Sequence, residues 1–332
     1  MAAAASISFG PLLGGYLVDD YSWHKIFDVN VPVGLAAILL SVFIQKEWRS
    51  GVRHPFDWKG FAAIVLFMPL TIYALARGNS PTNHDGWSAP EVVACFTVAA
   101  AAFVFFIVTA LRSPAPLLQI RLLAERNFGV SMAVLTLFAV GMLGGTYLLP
   151  LYMQRGLGYT ALMAGSVFLP VGLIQGILST VSGYLTRYIK PLLLVVAGIL
   201  VMALSFWLAS RFTLHTTHSH ILLVLYLRGF GMGLTFAPLN LFSLKNLTQQ
   251  DMAAAAGISN SIKQLAGSFG IAVLTAILAT RTAYHTAHET LPAAQTYVEG
   301  VTDALSVVVW LTLASAVPLV WVLLRRKKQV KN

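Results

Sequence analysis

Charged residues are scarce in this sequence, and acidic ones are the scarcest. Only 10% of its 332 residues are Asp, Glu, Lys or Arg, and 57% are hydrophobic, whereas a typical soluble domain carries roughly a quarter charged residues. The single cysteine, Cys95, rules out a disulfide framework within the chain. These shortages exclude an ordinary water-soluble domain and a small disulfide-stabilised one.

The motifs of several common enzyme classes are also missing. The sequence has no phosphate-binding loop of the form GxxxxGK[ST], no GxSxG nucleophile elbow and no HExxH zinc motif. It therefore predicts neither an enzyme nor a bound cofactor. A net charge of +10 would suggest nucleic acid on a soluble domain, but the basic residues fall mostly between apolar runs, so we expect no nucleic-acid partner.

Long apolar runs dominate what is present. A helix needs about 20 apolar residues to cross the roughly 30 Å hydrocarbon core of a bilayer, and such runs recur along the whole sequence. The sequence therefore predicts an all-α polytopic membrane protein with about ten transmembrane helices. We expect them near residues 2–18, 31–44, 58–76, 91–111, 128–153, 161–185, 191–210, 221–242, 253–279 and 302–324. The second run is short, so its helix must extend beyond the apolar part.

The distribution of basic residues favours one orientation of these helices. Of the 22 Lys and Arg residues, fifteen fall in the connections on one side and in the tail, and five fall on the opposite side. The other two, Arg228 and Lys263, fall inside predicted helices. Because Lys and Arg concentrate in the cytoplasmic connections of membrane proteins, we expect a cytoplasmic C-terminus.

Several short motifs, taken in order, carry a family resemblance. None of them is specific alone, but together they resemble the 14-helix drug:proton antiporters of the major facilitator superfamily. They are GPLLGG at 10–15, WHKIFDVNVP at 23–32, FDWKG at 56–60, LPLYMQ at 149–154, RGFGMG at 228–233 and KQLAGSFG at 263–270.

The resemblance implies a fold of two helix bundles that rock about a site near the bilayer midplane. On that alignment the ten helices correspond to the fifth to fourteenth of the family, so we expect an MFS-like fold lacking the first four helices. Residues 1–47 would hold the last two helices of the N-terminal bundle. Residues 48–127 would form two extra linking helices with cytoplasmic loops, and 128–332 a complete six-helix C-terminal bundle with a basic cytoplasmic tail.

The resemblance also implies an exporter in a bacterial inner membrane, which moves drugs or other small lipophilic molecules in exchange for protons. A periplasmic adaptor protein is the partner that it implies in Gram-negative bacteria. Two alternatives stay open. The chain could be a truncated remnant that does not transport, or a membrane interaction partner, because the family's first four helices carry much of its gating and proton coupling. An uptake carrier for a small metabolite shares the same fold.

Gly10, Pro11, Gly14 and Gly15 form the candidate gating motif. Proline removes a helical hydrogen bond, and glycine lets neighbouring helices approach closely. We therefore expect a kinked helix where the two bundles meet. In the family that the sequence resembles, this motif is associated with antiport and with resistance to leakage; plain helix packing is the alternative.

Arg228, Asn240, Lys263 and Gln264 are the candidate residues of a substrate or proton cavity. A cation within the bilayer costs about 2.5–3.5 kcal/mol on insertion scales, so Arg228 and Lys263 should each face a cavity or a partner. No acidic partner is expected within the C-terminal helices. Alternatively, the two cations hold carbonyl or hydroxyl groups at a helix interface, or extend towards the membrane surface.

Two further sets of polar residues lie near predicted helix ends. Asp19, Asp20 and Asp28 would form an extracellular gate or an entry site for cations, or else be solvated carboxylates. The histidines at 215, 218, 220, 285 and 288 are expected in outward-facing loops. Imidazoles can bind zinc or copper, but no Cys or carboxylate accompanies the first cluster, and we predict no metal site.

Overall fold

The chain is almost entirely helical in the computed structural model, which describes residues 2–44, 56–78, 80, 83, 85–113 and 116–322. Helices suit apolar segments in a bilayer because they satisfy their backbone donors and acceptors internally. The helices are α1 (Ala2–Asp20), α2 (Lys25–Ile44), α3 (Trp58–Gly78), α4 (Pro90–Arg112), α5 (Arg126–Leu151), α6 (Ala161–Ser166), α7 (Leu169–Leu185), α8 (Pro191–Ala209), α9 (His218–Leu244), α10 (Met252–His288) and α11 (Ala293–Ala314). Shorter helical segments are Gly86–Ser88, Ile120–Ala124 and Tyr152–Gly156.

The predicted all-α membrane architecture is confirmed. Nine helical segments of the described residues are long and apolar enough to cross a membrane by length and composition, and each overlaps a predicted helix. The first predicted helix also forms, as the 19-residue α1, but it is not among those nine. Met1, the basic residues at 46, 49 and 53 and the basic tail from 325 lie outside the described residues.

Three helices extend beyond one end of the run that predicts them. α2 begins at Lys25 rather than at 31, α10 runs to His288 rather than to 279, and α11 begins at Ala293 rather than at 302. The 37 residues of α10 would span about 55 Å at 1.5 Å per residue, more than the roughly 30 Å hydrocarbon core. Apolar runs report only the part of a helix that contacts lipid, so its polar ends are missed.

The predicted helix at 161–185 is divided into α6 and α7. Pro170 lies in the first turn of α7, where its missing N–H leaves no helical hydrogen bond to the carbonyl of Ser166. α6 therefore ends at Ser166, and α7 begins at Leu169 after a short turn. The break leaves α6 as a separate helix of six residues.

One hydrophobic core contains residues of α5 and of every helix from α7 through α11. α5 packs against α9, α10 and α11, and α9 packs against α7 and α8. The largest buried apolar side chains of this core include Phe128, Phe138, Leu148, Met153, Ile199, Met202, Phe206, Ile221 and Leu225. α5 thus contacts helices on several sides and holds the centre of this bundle.

The remaining helices attach to this bundle in two places. α3 and α4 pack on each other, Arg77 Nε lies 2.6 Å from Glu91 Oε1 at one end of the pair, and α3 contacts α10. α1 packs on α6 and α7, whereas α2 contacts α1 and has no buried residue among those described. The domain limits 1–47, 48–127 and 128–332 stay predictions.

The close packing of α8 and α9 gives a test of the fold with a matched control. A Cβ added at Gly231 would lie 2.9 Å from Met202 N and 3.0 Å from Gly198 O, whereas no described atom lies within 4 Å of a Cβ added at Gly257 in α10. Overpacking costs about 1–3 kcal/mol, and Ala gains about 0.8–1 kcal/mol over Gly in an exposed helix. We expect Gly231→Ala to lower the thermal unfolding midpoint in detergent and Gly257→Ala to preserve or raise it. Equal midpoints for the two variants would contradict the packing of α8 on α9.

Candidate functional site

The glycine-proline motif lies where α1 meets α6, and two glycines make this contact possible. Gly15 is buried, and a Cβ there would overlap the carbonyl oxygen of Ala161 and lie 2.7 Å from Leu162 Cα. A Cβ at Gly165 would overlap the carbonyl oxygen of Pro11. The two backbones therefore touch directly, as small residues allow in membrane helices.

The other two glycines of the motif do not take part in this contact. No described atom lies within 4 Å of a Cβ placed at Gly10 or Gly14. Pro11 lies inside α1, which is assigned as helix from Ala2 to Asp20. Gly165 lies outside the motif and was not predicted from the sequence, because an isolated glycine in an apolar run carries no distinguishing pattern.

Asp19, one helical turn beyond Gly15, forms hydrogen bonds to the same part of α6. Its carboxylate accepts hydrogen bonds from the backbone N–H of Leu162 at 2.7 Å and of Ala161 at 3.2 Å. The first N–H groups of a helix have no partner inside it, so α1 supplies the acceptors that the start of α6 needs. The alternative that Asp19 is only a solvated carboxylate does not fit this geometry.

A cavity of about 250 Å³ lies beside this contact. Its volume is just below the range of about 300–1,000 Å³ typical of small-molecule pockets. The walls are mostly apolar, with the side chains of Thr146 and Gln154 as polar groups. The lining residues are Pro11, Gly14, Gly15, Val18, Ile26, Thr146, Pro150, Gln154, Ala161, Ala164, Gly165 and Phe168. Three of the four predicted motif residues therefore line one cavity.

Arg228 is connected to this cavity through α5. The side chain is 1% exposed, and its Nη2 donates to Met142 O at 2.8 Å and to Thr146 Oγ1. Its guanidinium carbon also lies 5.0 Å from the centroid of the Phe206 ring, within the range of a cation–π contact. Nη1 is buried and has no hydrogen-bond partner among the described residues. The guanidinium thus fixes the Thr146 hydroxyl at the cavity wall.

None of the four predicted cavity residues lines this cavity, and the three other than Arg228 have no described contact with its walls. Asn240 lies twelve residues after Arg228 on α9, which is about 18 Å along the helix, and it is exposed. Lys263 is partly buried and Gln264 is exposed, both on α10, and neither lines the cavity. Their predicted contact with substrate stays a prediction.

The prediction that the histidines lie in loops is wrong for four of them. His218 and His220 lie in the first turn of α9, and His285 and His288 lie in the last turns of α10 rather than in loops, because both helices extend beyond their apolar parts. The last helix carries an acidic residue, but among the ion pairs of the described residues it contacts neither Arg228 nor Lys263. Asp303 of α11 accepts from His285 Nε2 at 3.1 Å and lies 3.7 Å from Arg281 Nε.

His285 and His288 contact neighbouring side chains of the same helix and of the residue that follows it. His285 Nδ1 lies 2.9 Å from Glu289 Oε1, and the His288 ring stacks on Tyr284 with centroids 4.4 Å apart. Among the described residues, no group of three or more His, Cys, Asp or Glu could hold a metal ion.

Replacing Arg228 tests whether it stabilises the fold. The Thr146 hydroxyl already donates to Met142 O at 2.5 Å, so this carbonyl has a donor without the guanidinium. An apolar side chain at 228 also removes the cost of a cation within the bilayer, about 2.5–3.5 kcal/mol on insertion scales. We expect Arg228→Met to unfold in detergent at or above the parent temperature. Arg228→Lys, which keeps a buried charge but loses the planar guanidinium, should unfold below it. A lower midpoint for Arg228→Met than for Arg228→Lys would make Arg228 a structural tie between α9 and α5.

Most of this chain is similar to known membrane transporters. A family model described as the Major Facilitator Superfamily matches residues 1–271. The chain is 32% identical over 284 residues to the multidrug export protein EmrB of Escherichia coli K12. The aligned region covers 85% of this chain and 55% of that protein. It is 30% identical over 276 residues to the uncharacterized MFS-type transporter YhcA of Bacillus subtilis, covering 83% and 51%. It is 28% identical over 286 residues to the fatty acid resistance protein FarB of Neisseria gonorrhoeae, covering 86% and 56%.

The chain spans about half the length of these curated relatives. The family model, in contrast, matches most of the chain. Relatives named for multidrug export confirm the resemblance to drug exporters. The chain therefore belongs to the Major Facilitator Superfamily and is related to members of that family named for multidrug export.

Proposed function

We propose that this chain is a transmembrane transporter that exports small lipophilic molecules in exchange for protons. The observation that carries the proposal is the cavity between α1 and the helices α5 and α6, whose walls are mostly apolar. Apolar pockets with few polar groups bind lipophilic molecules through burial and orient them through those polar groups. Here the two polar side chains are Thr146 and Gln154.

Arg228 orients one of these polar groups. The Thr146 hydroxyl donates to Met142 O and accepts from Arg228 Nη2, so its hydrogen is committed and a remaining lone pair can accept from a ligand donor. Substrates that carry an N–H or O–H group on an apolar body fit this arrangement. Asn240, Lys263 and Gln264 remain proposed polar contacts elsewhere on α9 and α10, for substrate or for the proton.

The proposed setting is a bacterial inner membrane with the C-terminus in the cytoplasm. The excess of Lys and Arg on one side of the predicted helices supports this orientation. The start of α6 and the C-terminal end of α1 then face the outside of the cell. In a Gram-negative cell, a periplasmic adaptor protein would be a further partner.

Ethidium transport into proteoliposomes tests the exporter proposal. With an acidic interior, we expect the purified chain to accumulate ethidium, because protons leaving the vesicle drive the cation inward. Collapse of the pH gradient should stop this accumulation. No movement with an intact gradient would favour the non-transporting alternative, whereas ethidium expelled from preloaded acidic vesicles together with protons would favour the uptake carrier.

A pair of threonine variants tests the cavity itself. Thr146→Val removes the hydroxyl from the cavity wall, while Thr275→Val removes an exposed hydroxyl of α10 that likewise bonds the carbonyl four residues earlier. Loss of one hydrogen bond costs about 0.5–1.5 kcal/mol, so Thr146→Val should raise the KM for a hydrogen-bonding substrate such as ethidium about threefold to tenfold. Thr275→Val should leave it unchanged. Equal KM values for the two variants would exclude Thr146 as a substrate contact.

A further inference from the structure

We propose that Asp19 is a positioning residue of the transport cycle, whose carboxylate holds the outer end of α1 against the start of α6 and closes the cavity to the outside. This inference rests on the exporter function and the orientation proposed above. It concerns a residue outside the glycine-proline motif.

The contact between α1 and α6 has a regular geometry. Pro11, Gly15 and Asp19 are spaced by four residues, so they lie on one face of α1. α6 runs antiparallel to this face, because Pro11 meets Gly165 while Gly15 meets Ala161 four residues earlier. Asp19 is the member of this stripe that forms hydrogen bonds across the interface through its side chain.

The backbone N–H groups at the start of α6 donate to acceptors on two different residues. The Met163 N–H donates to the side-chain oxygen of Thr160 at 3.2 Å. The Ala164 N–H donates to the carbonyl oxygen of Thr160 at 3.0 Å. The N–H of Ala161 and of Leu162 bond Asp19 on the other helix. Separation of α1 from α6 therefore removes the partners of two donors, while the local cap at Thr160 stays intact.

Such a contact can be both firm and reversible. Hydrogen bonds to a carboxylate are roughly twice as strong as those between neutral groups, which favours the closed arrangement. Asp19 is nevertheless exposed at the end of α1, so water can replace it on the two donors when the helices separate. Gly15, Val18 and Ala161 also line the cavity, so separation at this point opens the cavity.

Thiol labelling from each side of the membrane tests the proposal. Ala164 lines the cavity and is 1% exposed, so Ala164→Cys in a Cys95→Ala background gives a buried reporter. Asp19→Asn keeps the side-chain size, but it removes the charge and replaces one acceptor with an NH₂ group. Asp20→Asn makes the same change at the exposed last residue of α1. The chain is held in vesicles of known orientation with a membrane-impermeant maleimide on one side.

We expect Asp19→Asn to raise the labelling rate from the outer side about tenfold, which corresponds to about 1.4 kcal/mol, and Asp20→Asn to leave it unchanged. Labelling that rises equally from both sides would assign Asp19 a role in the stability of the fold alone. Labelling that is the same in the two variants would also overturn the proposal.

This readout is independent of transport, so the two proposals can fail separately. A chain that accumulates ethidium but shows no change in labelling with Asp19→Asn would contradict the role of Asp19 alone. A chain that moves no ethidium but shows the rise on the outer side would contradict the exporter function and support closure by Asp19.

Discussion

The direct approach of two backbones, α1 and α6, is the constraint on which the candidate site depends. Gly15 and Gly165 have no side chain where the other helix passes, and a methyl group at either position would overlap a carbonyl oxygen. Because the helices approach this closely, the Asp19 carboxylate reaches the N–H groups of Ala161 and Leu162. The cavity beside the contact then has α1 as one wall and α5 and α6 as the other.

α5 connects this contact to the core of the bundle. It packs against α9, α10 and α11, and Arg228 of α9 bonds its backbone at Met142 and its side chain at Thr146. Thr146 is at the same time a wall of the cavity. Arg228 of α9 therefore contacts the Thr146 hydroxyl, which lines the cavity, from within the helix core. Because of this contact, movement of α9 relative to α5 would alter the cavity.

Sequence reasoning predicted the features that depend on helix length and composition, and it missed those that depend on a partner in space. Apolar runs located the membrane helices because the thickness of a bilayer limits their length, but they could not reveal that α10 continues to His288 or that α11 begins at Ala293. The motif GPLLGG marked three residues of the cavity. Gly165 and Thr146 carry no comparable pattern, and the roles of Asp19 and Asp303 depend on the helix opposite each of them.

Amide hydrogen exchange at the start of α6 tests the central constraint most directly. Gly15→Ala adds a methyl group that overlaps the Ala161 carbonyl, while Gly14→Ala adds the same group where no described atom lies within 4 Å. We predict faster exchange of the Ala161 and Leu162 amides in Gly15→Ala, because α1 must move away and remove Asp19 from them, and parental exchange in Gly14→Ala. The same exchange rates in both variants would contradict the packing of α1 on α6.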